Sequence, residues 1–105
     1  MTTAVRSATE AERDVVVFKA LAHPIRLRIV SLVAAAPEGQ VSAGHIVEAF
    51  DLSQPTISHH LKVLHEAGIL DRAKRGVWVY YKARSEAMSA LRTLFSGDLA
   101  APQSA

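Results

Sequence analysis

The apolar residues of this chain recur at helical spacing up to Gly68, follow the pattern of β-strands over residues 69–81, and return to helical spacing after Ser85. Because residues advance by about 100° each along a helix, Ile57, Leu61 and Leu64 fall within one arc. Residues 77–81 are instead a run of β-branched and aromatic side chains, which is typical of a strand. The change of period predicts a mostly α-helical fold with a small β-hairpin near the C-terminal end.

The length and the absence of cysteine predict a single domain that gains stability by pairing. The chain has 105 residues, of which 50% are hydrophobic and 21% charged, a composition typical of globular proteins. A domain this short buries a modest share of its surface. With Cys 0 it has neither disulfides nor thiolate metal sites. We therefore expect a homodimer.

Capping residues and helix breakers divide the helical part into five predicted helices, the first over residues 10–22. The predicted start signals are a capping box of Thr9 and Glu12, Pro24 at a first helical position, and the N-caps Ser42, Ser53 and Ser85. The predicted stops are His23-Pro24, Pro37-Glu38-Gly39, Asp51-Leu52 and Gly68. The third and fourth helices, joined by a tight turn, form a helix-turn-helix.

The segment after Gly68 predicts a two-stranded hairpin, or wing, with a basic tip. Its strands are residues 69–72 and 77–81, and residues 73–76 form the connection. The complete prediction is a winged helix-turn-helix with about five helices and a two-stranded wing. We expect residues 9–95 to form the domain, with mobile segments at 1–8 and 96–105.

The positive charge of the chain is concentrated in the helix-turn-helix and the wing. Residues 51–82 hold five basic and three acidic side chains, and this difference equals the net charge of +2. A local basic excess suits a polyanionic partner. A solvated surface is an equally good explanation of the charge count alone.

The outward face of the fourth helix carries small polar and cationic groups that suit the DNA major groove. Donors and acceptors near the helix N-terminus can meet base edges there. We expect Gln54 to contact adenine and Lys62 to contact phosphate. The candidate DNA contacts from this pattern are Ser53, Gln54, Thr56, Ser58 and Lys62, with Lys74 and Arg75 on the wing. An ordinary amphipathic helix with a solvated face is the alternative.

Two segments resemble the ArsR/SmtB family of repressors: Phe-Lys-Ala-Leu-Ala-His-Pro-Ile-Arg-Leu-Arg-Ile-Val at 18–30 and Leu-Ser-Gln-Pro-Thr-Ile-Ser-His-His-Leu-Lys-Val-Leu at 52–64. Ala67-Gly68, Arg75-Gly76 and Tyr80-Tyr81 fit as well, so the resemblance covers roughly residues 15–95. It implies a winged-helix homodimer, paired through the first and last helices. It further implies a transcriptional repressor that binds double-stranded operator DNA until an effector lowers its affinity.

The same resemblance implies roles for two adjacent histidines, and it shows which family metal sites this chain lacks. His59 would face DNA, whereas His60 would be structural. Many family members bind metals through a Cys-x-Cys pair at the start of the third helix, where this chain has Ser42 and Gly44. At the second family site, on the last helix, it has Ser85, Ala87 and Asp98, and no histidine follows His65. We expect no cofactor, and the effector is not identified by the sequence.

Two other functions are compatible with the same sequence pattern. A protein-interaction module without operator specificity would keep the same fold. A metal sensor would use the five histidines, which are His23, His45, His59, His60 and His65. No two of them have a strong ligand spacing. We expect no enzyme, because paired carboxylates, an activated nucleophile and a phosphate loop are missing. No apolar run reaches the roughly 18 to 20 residues of a membrane span, so a cytoplasmic protein is expected.

Overall fold

The computed structural model describes the backbone of residues 5–100 and the side chains of residues 5–95. Its described part contains five helices and three strands. The predicted fold class is confirmed, and one strand is present in addition to the two that were predicted. In chain order the elements are α1 (Ala8–Leu21), α2 (Pro24–Ala34), β1 (Val41–Ser42), α3 (Ala43–Ala49), α4 (Gln54–Glu66), β2 (Leu70–Arg75), β3 (Trp78–Ala83) and α5 (Ser85–Ala100).

The additional strand β1 converts the predicted hairpin into a three-stranded antiparallel sheet of order β1-β3-β2. Val41 pairs with Tyr81 and Ser42 with Tyr80. A strand of two residues is too short to show an alternating pattern. Its existence depends on pairing with β3, almost forty positions later in the chain.

The wing turn lies further along the chain than the sequence predicts. Leu70 pairs with Ala83 and Arg75 with Trp78, so β2 extends through Arg75. The predicted connection over residues 73–76 is therefore wrong, and the turn is Gly76-Val77. Gly76 has a φ of 63°, which suits the first central position of a type II′ hairpin turn.

The N-caps of α3 and α4 are confirmed, whereas α1 begins at Ala8, two residues earlier than predicted. Ser42 accepts a hydrogen bond from the His45 amide, and Ser53 accepts one from the Thr56 amide. The capping box of α1 is formed by Ser7 and Glu10, not by Thr9 and Glu12. Both pairs have the same three-residue spacing, so the sequence pattern does not distinguish them.

The observed helices extend beyond both ends of the domain predicted over residues 9–95. Helix α1 begins at Ala8, α5 begins at Ser85 itself, and α5 continues to Ala100, beyond the predicted boundary at residue 95. Residues 1–4 and 101–105 of the segments expected to be mobile lie outside the described residues. None of the helices within residues 5–100 is long and apolar enough to cross a bilayer.

A single hydrophobic core lies between the helices and the inner face of the sheet. Its fully buried side chains include Ile29 and Val33 of α2, Ile46 of α3, and Ile57 and Leu64 of α4. Leu70 of β2 and Tyr81 of β3 close the core from the sheet. The sheet and α2 thus fix the position of α4, and the rest of its surface stays exposed.

Candidate nucleic-acid interface

Helix α4 divides into a buried apolar face and an exposed polar face, as the periodicity predicts. Ile57, Leu61 and Leu64 are buried. The predicted contact residues on the helix and at its N-cap are all exposed: Ser53, Gln54, Thr56, Ser58, His59 and Lys62. Because the core holds the apolar face, this polar surface belongs to a rigid element rather than to a loop.

The hydroxyls at the start of α4 bond to each other, which limits what each can offer to a ligand. Ser53 Oγ accepts from the Thr56 amide at 3.3 Å and donates to Thr56 Oγ1 at 2.9 Å. Since its only hydrogen is used, Ser53 can act outward only as an acceptor. Thr56 keeps its own hydroxyl hydrogen, so it is the better donor to a phosphate or base acceptor.

The two histidines of α4 lie in different environments. His59 is exposed on the polar face. His60 is 6% exposed, and its Nδ1 accepts a hydrogen bond from Arg26 Nη1 at 3.2 Å, because a guanidinium can only donate. The His60 imidazole is therefore neutral, with its proton on Nε2. Its burial agrees with the structural role expected for it.

The surroundings of His60 reinforce its neutral state. The ring of His23 lies 4.5 Å from that of His60 between centroids, and the ring of His59 lies at 5.7 Å. Burial is the main cause that lowers the pKa of His60, and electrostatic interactions with His23, Arg26 and His59 lower the pKa further. His23 also caps α2, since its Nδ1 accepts from the Ile25 amide at 3.1 Å.

The two cations predicted at the wing tip lie on opposite faces of β2. Side chains alternate along a strand, so Lys74 shares a face with the buried Leu70, and Arg75 shares the other face with Trp78 opposite it. Arg72 lies on the Lys74 face and is exposed as well. Arg72 is not among the DNA contacts predicted from the sequence, although a step of two residues back from Lys74 along a strand leads to it.

Arg75 is engaged within the protein. Its Nη2 donates to Gln40 Oε1 at 3.1 Å, and its guanidinium carbon lies 5.0 Å from the centre of the Tyr80 ring. No sequence signal connects Gln40 with Arg75, because the contact spans 35 positions. Lys74 and Arg72 are thus the wing cations on the inner side, and Arg75 is held on the outer side.

The histidines do not form a metal centre within the described part of the chain. No group of three or more histidine, cysteine, aspartate or glutamate side chains there could hold a metal ion. His23 and His60 approach each other, but their Nδ1 atoms are both used in hydrogen bonds. Ser42, at the first position of the family's Cys-x-Cys site, caps α3.

Comparison with known sequences places the chain among bacterial regulators. The sequence profile of bacterial regulatory proteins of the arsR family matches residues 23–72. The arsenic resistance transcriptional regulator ArsR1 of Pseudomonas putida is 40% identical over 88 residues, which cover 84% of this chain and 67% of that protein. The transcriptional repressor SdpR of Bacillus subtilis is 40% identical over 65 residues, 62% of this chain and 69% of the relative.

Solved structures have the same fold. The crystal structure of the transcriptional repressor BigR from Xylella fastidiosa superimposes with a TM-score of 0.65 at 31% identity, over 83% of this chain and 90% of that one. A possible transcriptional regulator for arsenical resistance matches with a TM-score of 0.65 at 33% identity, over 74% of this chain and 78% of the other.

Proposed function

The chain belongs to the ArsR family of bacterial regulatory proteins, and from this premise we propose that it is a transcriptional repressor that binds operator DNA as a homodimer. The exposed polar face of α4, held in place by a buried apolar face, is the observation that carries the proposal. Relatives named as transcriptional repressors support it. In this role the protein acts by binding, without catalysis, in the cytoplasm where the chromosome lies.

Helix α4 is the proposed reader of the major groove. Gln54 would contact a base edge, and Ser58 and His59 would lie against the groove one turn further along. Thr56 and Lys62 would contact phosphates, which set the register of the helix on the duplex. Ser53 would act mainly through its cap, since its hydrogen is committed to Thr56.

The wing is the proposed second contact, directed at the phosphates or the minor groove beside the α4 site. Lys74 and Arg72 would supply the charge, because they share the inner face of β2. Arg75 would reach DNA only after its guanidinium leaves Gln40.

The proposed dimer forms through α1 and α5, the first and last helices, as the resemblance to the ArsR/SmtB family implies. Val16 is 53% exposed on α1 and Phe95 is 65% exposed on α5. Phe18 links the two helices, because its ring meets that of Phe95 edge to face at 5.9 Å between centroids. Exposed apolar groups that cluster on two adjacent helices are typical of a subunit interface.

An anisotropy titration tests the proposal directly. The protein should bind a duplex from its own promoter at least about a thousandfold more tightly than a random duplex at about 150 mM salt. Lys62→Glu should abolish this binding, and circular dichroism should show that the variant is folded. Equal affinity for both duplexes would overturn the repressor assignment and favour a protein-interaction module of the same fold.

The effector that would release the operator has to be recognised without thiolates. The chain contains no cysteine, so it cannot bind arsenite or soft metals through thiolates as a cysteine-containing regulator can. An effector of a different chemical class is therefore required if the repressor is to be released by a ligand.

A further inference from the structure

A cleft of about 450 Å³ lies at the base of the wing, on the side of the sheet that carries Trp78. We call it the wing-root cleft. Its lining comes from the end of α2, the loop before β1, the start of α3 and the outer face of β3. The volume lies in the range of small-molecule sites. The cleft is separate from the polar face of α4.

Two aromatic rings form one wall of the wing-root cleft. Trp78 and Tyr80 are two residues apart on β3, so their side chains lie on the same face of the sheet. Trp78 is 60% exposed, although indole is among the side chains that gain most from burial. A ligand in the cleft would cover part of this ring.

The opposite wall supplies apolar contact and one negative charge. Leu32, Ala36 and Val41 provide apolar surface, and His45 and Ser42 provide polar atoms. Among the described residues that line the cleft, Glu38 is the only acidic one, and none is a lysine or an arginine. Arg75 lines the neighbouring cleft instead.

The combination of π faces and a carboxylate indicates the ligand class. Aromatic faces attract cations through the ring quadrupole, and a carboxylate adds direct charge attraction. Arg75 already lies over the Tyr80 ring, so Trp78 and Glu38 are the groups that would hold a second cation. We propose that the wing-root cleft binds a small organic cation, and that its occupancy changes the affinity of the protein for DNA.

The position of the cleft explains how a bound cation would act on DNA binding. It is lined by His45 of α3, the first helix of the helix-turn-helix, and by Trp78 of the wing. One ligand would therefore contact both elements that present the DNA-binding groups. This second part of the inference depends on the proposed function, whereas ligand binding itself does not.

Trp78 makes a direct binding measurement possible, since it is the only tryptophan of the chain. Its fluorescence should change saturably when the protein is titrated with benzyltrimethylammonium. Benzyl alcohol and benzoate are the neutral and anionic aromatic controls, and they should bind at least about fivefold more weakly. Equal affinities for the three probes, or no saturable change with the cation, would overturn the proposed site.

Variants separate the contributions of the charge and of the ring, with affinities measured by calorimetry. Glu38→Gln should weaken cation binding about threefold or more, whereas Glu48→Gln, an exposed carboxylate outside the cleft, should leave the affinity unchanged. Trp78→Leu should weaken binding more than Trp78→Phe, which keeps a π face. Unchanged binding by both Glu38→Gln and Trp78→Leu would contradict the assignment.

Coupling to DNA is tested on the same protein with the promoter duplex. Saturating benzyltrimethylammonium should change the duplex affinity, and the duplex should change the cation affinity by the same factor. Cation binding without any effect on duplex affinity would overturn the coupling alone. Failure to bind the promoter duplex would refute the repressor role but leave the cation site standing, and failure to bind the cation would do the reverse.

Discussion

At the scale of single residues, the polar face of α4 assigns different tasks to neighbouring side chains. Gln54 offers an amide that can pair with a base, whereas Lys62 offers a mobile charge about two turns further along the exposed face. Hydrogen bonds to base edges depend on sequence, and contacts to phosphates do not. Shortening each of the two side chains should therefore change DNA affinity in a different way.

Gln54→Ala should cost about 1–3 kcal/mol on the promoter duplex and little on a random duplex. Lys62→Ala should weaken binding to both duplexes and reduce the salt slope by about one. Anisotropy titrations across a range of salt measure both effects. Lys82→Ala, an exposed lysine near the base of the wing, is the control. Equal losses for the two variants on both duplexes would refute this division of roles.

His60 should make the stability of the protein depend on pH. The pKa of His60 is lowered in the folded protein, first by burial and then by His23, Arg26 and His59. The unfolded chain therefore binds more protons in acid. The contribution of His60 to stability should be fully present above pH 6.5, the ordinary pKa of histidine. The free energy of unfolding should decrease as pH falls below 6.5 and through the lower folded pKa.

Urea unfolding between pH 8 and pH 5 measures this dependence. His60→Gln should flatten the profile, since a glutamine oxygen can still accept from Arg26 and has no proton to gain. His45→Gln, an exposed histidine outside the cluster, should leave the profile unchanged. Profiles that flatten equally in both variants would contradict the role given to His60.

At the scale of elements, the end of α4 depends on a glycine. Gly68 has a φ of 79°. The Ile69 amide donates to the Leu64 carbonyl and the Gly68 amide to the His65 carbonyl, each at 3.0 Å. These bonds form a Schellman motif, and the buried Leu64 and Ile69 complete it. The motif directs the chain from the proposed recognition helix into the wing.

Gly68→Ala should destabilise the protein by about 1–2 kcal/mol, because a Cβ is unfavourable at positive φ. A Cβ there would meet Arg84 Nη1 at an ordinary 3.9 Å, so the cost comes from backbone strain and not from a clash. Gly44→Ala is the matched control: it lies within α3 with nothing within 4 Å, and it should stabilise the helix. Urea unfolding compares the two, and an equal loss would refute the explanation.

The two faces of the wing predict which of its cations contribute most to DNA binding. Arg72 and Lys74 share the inner face of β2, whereas Arg75 lies on the outer face with Gln40 and Tyr80. Arg72→Ala and Lys74→Ala should each reduce the salt slope of operator binding by about one. Arg75→Ala should have a smaller effect. A slope that changes most with Arg75→Ala would show that this guanidinium turns towards DNA in the complex.

At the scale of the whole molecule, the proposed dimer depends on the apolar surface of α1 and α5. A carboxylate introduced there would be buried without a partner on association. Phe95→Glu and Val16→Glu should each raise the dimer dissociation constant at least about tenfold, which corresponds to about 1.4 kcal/mol. Analytical ultracentrifugation measures it.

Leu27→Glu is the control for the dimer, because Leu27 is similarly exposed but lies on α2. It should leave association unchanged. Loss of the dimer in this variant alone would move the interface to the surface of α2 and α3. The variants that dissociate should also lose operator affinity, because a monomer can occupy only one half-site.

The features that follow from local rules could be predicted from the amino-acid sequence. Helical periodicity placed Ile57, Leu61 and Leu64 inward and the polar residues of α4 outward, and serine N-caps marked the starts of α3 and α4. Both signals act within one or two turns of a helix, so they are fully encoded by residues close together in the sequence.

The pairing of distant segments could be read only from the folded molecule. The fold added β1, bonded Arg75 to Gln40, and brought His23 and Arg26 against His60. It also closed the wing-root cleft between α2, α3 and β3. These arrangements depend on contacts between segments more than thirty positions apart, such as Arg26 with His60. Their register is set by the packing of the core and the sheet, which no local spacing encodes.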